Sequence, residues 1–191
     1  MPAPATSPSR SRHRGAVRRG PGRWWAGAAV VVLLGAAVLL RAFVVPPSDA
    51  PRTTDLVMVL GGVDTSSRTE RANEISAAHP GATVVFVIGE MKYCPDSPPG
   101  AAEVVCTFPP PPGTTRGEAR FAAEYAREHD MDSITVVTTA DQLLRARFRF
   151  SRCWDGDLVS VQAPASRWEV LAQVPYQTAA TIKALVLEPG C

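Results

Sequence analysis

The segment DLVMVLGG, residues 55–62, decides the fold, because a run of strand-forming residues ends there in two glycines. The run TVVFVI, residues 83–88, is almost continuously apolar, which is typical of a strand buried on both faces of a parallel sheet. Helices are predicted at residues 67–78, 116–129 and 141–150, and further strands at 133–138 and 158–162. Residues 167–187 are predicted to be a helical region with a break at Pro175. This alternation predicts an α/β fold for residues 55–191, a three-layer αβα sandwich with a Rossmann-like, mostly parallel sheet.

One long loop interrupts this order. Residues 89–113 contain seven prolines, among them Pro109–Pro112, so we expect no regular structure there. Loops of this length inside a domain are usually functional or held by a disulfide.

The N-terminal region predicts insertion in a membrane. Residues 1–23 mix six Arg with Pro, Ser and Gly and are expected to be disordered. Residues 24–45 are long and apolar enough for one transmembrane helix, and residues 46–54 form a polar linker. The excess of Arg before the span predicts a cytoplasmic N-terminus and an extracytoplasmic domain. The alternative is a secreted protein, with cleavage of a signal peptide at Ser48-Asp49-Ala50.

Charge and motifs exclude several classes of function. Residues 51–191 carry 13 basic and 17 acidic side chains, so the domain lacks the broad cationic face of a nucleic-acid-binding protein, and we expect no nucleic-acid partner. The sequence contains neither GxGxxG nor GxxxxGK[ST] and therefore identifies no nucleotide cofactor.

The four cysteines predict disulfides. None of them forms a C-x-x-C pair, and an even number is typical of disulfides in an oxidising compartment, so no metal site is expected. Of the three connectivities, we favour Cys94 with Cys106, which share the Pro-rich loop, and Cys153 with Cys191, which ends the chain.

Candidate site residues follow the predicted strands, since ligands of such sheets bind at the strand carboxyl ends. Gly61 and Gly62 allow close approach of the backbone to an anion at the next helix N-terminus, although they also suit a tight turn. Thr115 and Glu118 have the spacing of a helix-capping box. Arg145 lies one helical turn from Asp141 and is expected to face the strand ends.

These motifs resemble a known family. The order and spacing of Leu60-Gly61-Gly62, Arg71, TTRGEA (114–119), VVTT (136–139) and Arg145-Ala146 are similar to those of the DUF218 domain, also called YdcF/SanA/ElyC-like, over roughly residues 54–188. The N-terminal anchor, the cysteines around the Pro-rich loop and the terminal cysteine resemble its membrane-anchored, high-G+C Gram-positive branch. The resemblance implies an envelope protein of cell-wall or polysaccharide precursor metabolism with a phosphorylated or nucleotide-like ligand.

The resemblance also implies roles for the matched residues. Backbone donors would come from Gly61 and Gly62, anion contacts from Arg71 and Arg145, and orientation of the ligand or a water from Thr115, Glu118, Thr139 and Gln142. Glu118 is the expected base if a phosphoester or pyrophosphate is hydrolysed. The family usually has His where this chain has Gln142, and a glutamine can donate and accept hydrogen bonds but cannot act as an acid or base at neutral pH. Two hypotheses remain: a protein that binds or hydrolyses a phosphate-containing small molecule or lipid-linked precursor, and a non-catalytic envelope scaffold.

Overall fold

A parallel sheet of five strands lies at the centre of the computed structural model, which describes residues 22–62, 65–89 and 93–191. The strands are β1 (Leu56–Val59), β2 (Thr83–Val87), β3 (Glu103–Thr107), β4 (Ser133–Thr139) and β5 (Asp157–Ala163). Their order is β3-β2-β1-β4-β5, and each neighbouring pair is parallel. The predicted Rossmann-like α/β fold is confirmed.

Helices α2 (Ser66–Ala78), α3 (Thr115–Glu128) and α4 (Ala140–Cys153) cover the two faces of the sheet. Helix α5 (Arg167–Ile182) packs against α4 and continues as a π-helix over Lys183–Leu187. A further helix, α1 (Gly22–Phe43), precedes the domain in sequence. The core cluster that contains α2 residues lies on one face, and the cluster that contains α3 and α4 residues lies on the other. Because β1 and β2 are buried at every position, only a continuous run of apolar or small residues suits them.

Small residues let α3 approach the core closely. Ala119, Ala122, Ala123 and Ala126 recur at helical spacing and are all buried against the apolar side of the sheet. A larger side chain at these positions would push α3, and with it the first helical turn, away from the strand ends.

The expectation that residues 89–113 hold no regular structure is wrong in one part. Glu103–Thr107 form β3, an edge strand that pairs only with β2. The seven prolines lie on either side of this segment and none lies within it, so its N–H groups remain available to the sheet.

The predicted break at Pro175 is also wrong, because α5 runs through it. Pro175 lies on the exposed side of the helix. A proline inside a helix removes one backbone hydrogen bond and crowds the carbonyl group four residues earlier, which can kink a helix without ending it.

Both predicted disulfides are confirmed: Cys94 is bonded to Cys106, and Cys153 to Cys191. The first joins the long loop to β3. The second joins the end of the chain to the end of α4, where Arg116 Nη2 also donates to the Cys191 carbonyl oxygen at 2.8 Å.

The N-terminal helix α1 is apolar. Its segment Trp24–Phe43 has a mean hydropathy of 2.2 and is, by length and composition, the one helix among the described residues able to cross a membrane. The chain divides into two compact units between Gly35 and Ala36. Most of the segment predicted to be disordered, residues 1–21, lies outside the described residues.

The linker predicted for residues 46–54 is bound to the edge of the sheet. The backbone of Asp49 donates to the Ser160 carbonyl at 2.9 Å, and its carboxylate accepts from the Ser160 N–H at 2.8 Å and pairs with Arg147. The Ser48 hydroxyl accepts from the Gln162 N–H at 2.9 Å. The linker therefore runs antiparallel to β5 and covers its free edge.

Candidate functional site

The candidate site lies where the strand order reverses. The chain leaves β1 for α2 on one face of the sheet and leaves β4 for α4 on the other, and a crevice opens between the carboxyl ends of such strands. A cavity of about 540 Å³ occupies it. Loops and helix ends line this cavity, with Gly61, Gly62, Arg68, Gly89, Pro109, Gly113, Thr114, Thr115, Glu118, Thr139, Asp141, Gln142, Arg145, Ala165, Glu169, Val170, Gln173, Tyr176 and Gln177.

Gly61 follows β1 and is held by Glu118. Its N–H donates to Glu118 Oε1 at 2.8 Å, and a Cβ atom at Gly61 would lie 3.0 Å from Val87 Cγ1. A side chain at this position would therefore require Val87 to shift by a few tenths of an ångström. The backbone donor that the sequence assigned to an anion is already bound to the carboxylate of Glu118.

Arg68 joins the ends of β1 and β4 beneath the cavity. It is only 3% exposed, and its guanidinium donates to the carbonyls of Leu60, at 2.9 Å, and Gly61, and to Thr139 Oγ1 at 3.1 Å. A Cβ atom at Gly62 would lie 2.7 Å from Arg68 Nη1. Gly62 therefore makes room for a buried cation.

The capping box expected at Thr115 and Glu118 does not form. Helix α3 begins one residue earlier, with Thr114 as its N-cap, and no side chain caps it. The Glu118 side chain turns instead towards the end of β1, because the Gly61 N–H offers a buried partner there. Thr115 and Glu118 both line the cavity.

The carboxyl group of Glu118 is buried among cations. It is 7% exposed, and this burial raises its pKa above the usual range of a glutamate. The hydrogen bond from Gly61 and the charges of Arg68 and Arg145 oppose the rise without cancelling it. A carboxyl group with a raised pKa, facing a cavity, is suited to take up or release a proton.

Arg145 presents its charge to the cavity. Its guanidinium carbon lies 5.9 Å from the ring centroid of Tyr176, which holds it by a cation–π contact. Its Nε is buried without a partner, and the guanidinium makes no hydrogen bond or ion pair with the residues that the structure describes. The Arg145 guanidinium is therefore available to bind an anionic group of a ligand.

Of the remaining predicted site residues, two line the cavity and one does not. Thr139 and Gln142 line the cavity, and Gln142 Oε1 lies 3.4 Å from the hydroxyl of Thr138. Arg71 does not line it: its Nη1 donates to Glu74 Oε2 at 2.6 Å, one helical turn along α2. Arg68, one turn before Arg71, is the arginine of α2 that reaches the cavity.

Several cavity residues were not predicted as site residues, among them Arg68, Asp141 and Gln177. Arg68 shares a buried stripe with Ala72 and Ile75, and this spacing of four and seven residues is a signal that distinguishes it from Arg71. Asp141 Oδ2 accepts from Gln177 Nε2 at 3.0 Å, and Gln177 Oε1 is buried with no partner in the described part of the chain. No local pattern shows that Gln177, on α5, would meet the start of α4.

The Pro-rich loop forms the cavity wall because Gly117 lets it approach α3. A Cβ atom at Gly117 would lie 2.2 Å from the Pro110 carbonyl oxygen. Gly113, with φ of 71°, closes the turn by donating to the same oxygen at 2.7 Å. These two glycines fix the loop against the first turn of α3, next to Glu118.

The donor set suits an anion better than a metal ion. Among the residues that the structure describes, no group of three or more His, Cys, Asp or Glu side chains is arranged to hold a metal. Comparison of the chain with protein-family models, curated proteins and solved structures gives no match.

Proposed function

We propose that this is a membrane-anchored, extracytoplasmic, DUF218-like protein of cell-envelope metabolism that binds a phosphate-containing ligand at the carboxyl ends of β1 and β4. One observation carries the proposal: the Arg145 guanidinium lines the cavity, is held by Tyr176, and forms no ion pair or hydrogen bond with the described residues. A charge-assisted hydrogen bond to a phosphate would contribute about 1.5–3 kcal/mol.

The size and lining of the cavity support a ligand larger than a bare phosphate ion. A volume of about 540 Å³ falls within the range of small-molecule sites. Arg145 is available to a phosphate group, whereas the buried Gln177 Oε1 is available to a hydroxyl or amide donor. Such a pair suits a phosphate attached to a polar group.

A second function, hydrolysis of a phosphoester or pyrophosphate, is favoured by the raised pKa of Glu118. In this reaction a water oxygen attacks phosphorus, Glu118 accepts a proton from that water, and the bond from phosphorus to the leaving oxygen breaks. The leaving oxygen takes a proton from solvent, and Arg145 compensates the charge on the phosphoryl oxygens. Gln142 cannot act as the general acid in this reaction, because an amide does not ionise at neutral pH.

The proposed location rests on sequence and structure together. Six Arg precede the apolar span, and the domain holds two disulfides, as expected for an N-terminus in the cytoplasm and a domain outside it. Cleavage after Ala50 would remove Ser48 and Asp49, whose hydrogen bonds cover the edge of β5. Because cleavage would break these bonds, they favour a retained membrane anchor and argue against a cleaved signal peptide.

Binding and phosphate release, measured in parallel, test this function. The ligands are nucleotides and polyprenyl pyrophosphates, and the proteins are the native chain and Glu118→Gln, which keeps an acceptor for Gly61. Binding by both proteins, with release only by the native chain, supports a hydrolase. Binding by both without release supports a binding protein. If neither binds any of these ligands, the scaffold hypothesis is the better one.

A further inference from the structure

The outer face of α5 is apolar and uncovered. Its exposed positions include Trp168, Leu171, Pro175 and Ile182, with Val186 in the π-helical continuation. Trp168 is 81% exposed and Ile182 56% exposed. We call these five residues the α5 stripe; they contain no charge and follow helical spacing over about 27 Å.

The α5 stripe is not a side effect of loose packing. The opposite side of the same helix is buried, through Val170, Gln177 and Thr181. Gln177 is fixed to α4 by its hydrogen bond to Asp141. The helix is therefore held in one orientation, with an apolar surface left to face outwards, and surfaces of this kind mark interaction sites.

The path of the linker indicates what covers this surface. From Asp49, bonded to Ser160, back to Ser48, bonded to Gln162, the chain moves towards the carboxyl end of β5. Helix α5 begins there, at Arg167, four residues after β5 ends. The apolar helix ends at Phe43, so at most about 18 Å of chain separates its last residue from Ser48.

We propose that the α5 stripe lies on the surface of the membrane that holds the span. A short tether and the start of α5 share the carboxyl end of β5, which brings this face of the domain to the bilayer. An exposed Trp next to the exposed Arg167 suits the boundary between acyl chains and anionic headgroups. The inference rests on the membrane-anchoring part of the proposed function and is independent of the ligand.

Fluorescent labels test this placement in the full chain. The four native cysteines are bonded in pairs, so a single added cysteine is labelled selectively. Leu171→Cys and Ile182→Cys carry the label on the α5 stripe, and Glu124→Cys, on the exposed side of α3, is the matched control. Each protein is reconstituted in vesicles of phosphatidylcholine and phosphatidylglycerol.

We expect blue-shifted emission from the two α5 labels, strong quenching by lipids brominated near the headgroup, and weak quenching by aqueous iodide. The Glu124 label should show the reverse. Equal quenching of all three labels by iodide would overturn the inference. Protection of the α5 labels that depends on protein concentration and persists in detergent would also overturn it, because it would show that a second copy of the chain covers the α5 stripe. If the chain remains in the membranes after an alkali wash while its α5 labels face water, the docking of the α5 stripe is contradicted but the proposed membrane anchor is not.

Discussion

The Gly61 N–H donates a hydrogen bond of 2.8 Å to Glu118 Oε1, across 57 positions of sequence. This bond joins the end of β1 to the first turn of α3 and draws a carboxyl group into the floor of the cleft. It explains why Gly61 offers no free donor to a ligand, and it places an acid with a raised pKa beside Arg145.

Glu118→Gln is expected to stabilise the protein at neutral pH. Because the pKa of Glu118 is raised in the folded state, its carboxyl group is protonated in both states below the unfolded pKa of about 4.3 and imposes no cost there. As the pH rises through the folded pKa, the native state must bury a charge and loses stability. The glutamine side chain keeps an oxygen that accepts from the Gly61 N–H, and because it does not ionise, the variant does not lose this stability.

Urea unfolding of both proteins between pH 4 and pH 8 measures the effect. The difference in unfolding free energy should be near zero at the acidic end and should grow with pH in favour of Glu118→Gln. Glu124→Gln, on the exposed side of the same helix, controls for the change in net charge. A variant that is less stable than the native chain at pH 8 would show that the ionised carboxylate is well compensated.

Gly62→Ala is expected to displace the Arg68 guanidinium, since the new Cβ would lie 2.7 Å from Nη1. Arg68 cannot simply move aside, because Leu60, Gly61 and Thr139 hold it. Overpacking of this kind costs about 1–3 kcal/mol in unfolding free energy. Gly190→Ala, with no atom within 4 Å of the added carbon, should change stability by less than about 0.5 kcal/mol. Equal stability of the two variants would contradict the packing described for Arg68.

Asp49→Ala is expected to release the linker from β5. Burial of Asp49 opposes ionisation, but hydrogen bonds from Arg147 and from the Ser160 N–H lower its pKa overall. Its contribution to stability is therefore present above the unfolded pKa of about 3.9 and is lost as the pH falls through the folded pKa. Limited proteolysis at pH 7 should cleave residues 44–54 faster in this variant than in Asp155→Ala, an exposed control. An unchanged cleavage rate would mean that the other linker contacts suffice.

Removal of the Cys94–Cys106 disulfide by paired serine substitutions is expected to cost about 2–3 kcal/mol, because it frees a loop of a dozen residues in the unfolded chain. Thermal unfolding with and without reductant measures this cost. Reductant should lower the melting temperature of the native chain more than that of the paired variant, which retains only Cys153–Cys191. Identical responses would indicate that the loop is held by its other contacts.

The sequence predicted the features that depend on local patterns. Strands such as Thr83–Val87 are apolar along their whole length, and the disulfides follow from where the cysteines lie. It failed at β3, where the count of prolines outweighed a proline-free segment, and at Pro175, because a proline can kink a helix without ending it. The anion contact assigned to Arg71 came from the family resemblance, whereas Arg68, which differs from it in helical phase, is the arginine of α2 that lines the cavity. The pairing of Gly61 with Glu118 and of Asp141 with Gln177 depends on tertiary packing, which no local pattern encodes.

We expect Arg145 to bind the phosphate of a ligand in the cleft, and calorimetric titration with inorganic pyrophosphate measures this binding. The native chain and Arg152→Gln, an exposed arginine on the same helix outside the cavity, should bind equally well. Arg145→Gln should bind about 10–100-fold more weakly, as the loss of a charge-assisted contact of about 1.5–3 kcal/mol requires. Absence of binding to the native chain, or equal affinity of Arg145→Gln and the native chain, would contradict the claim.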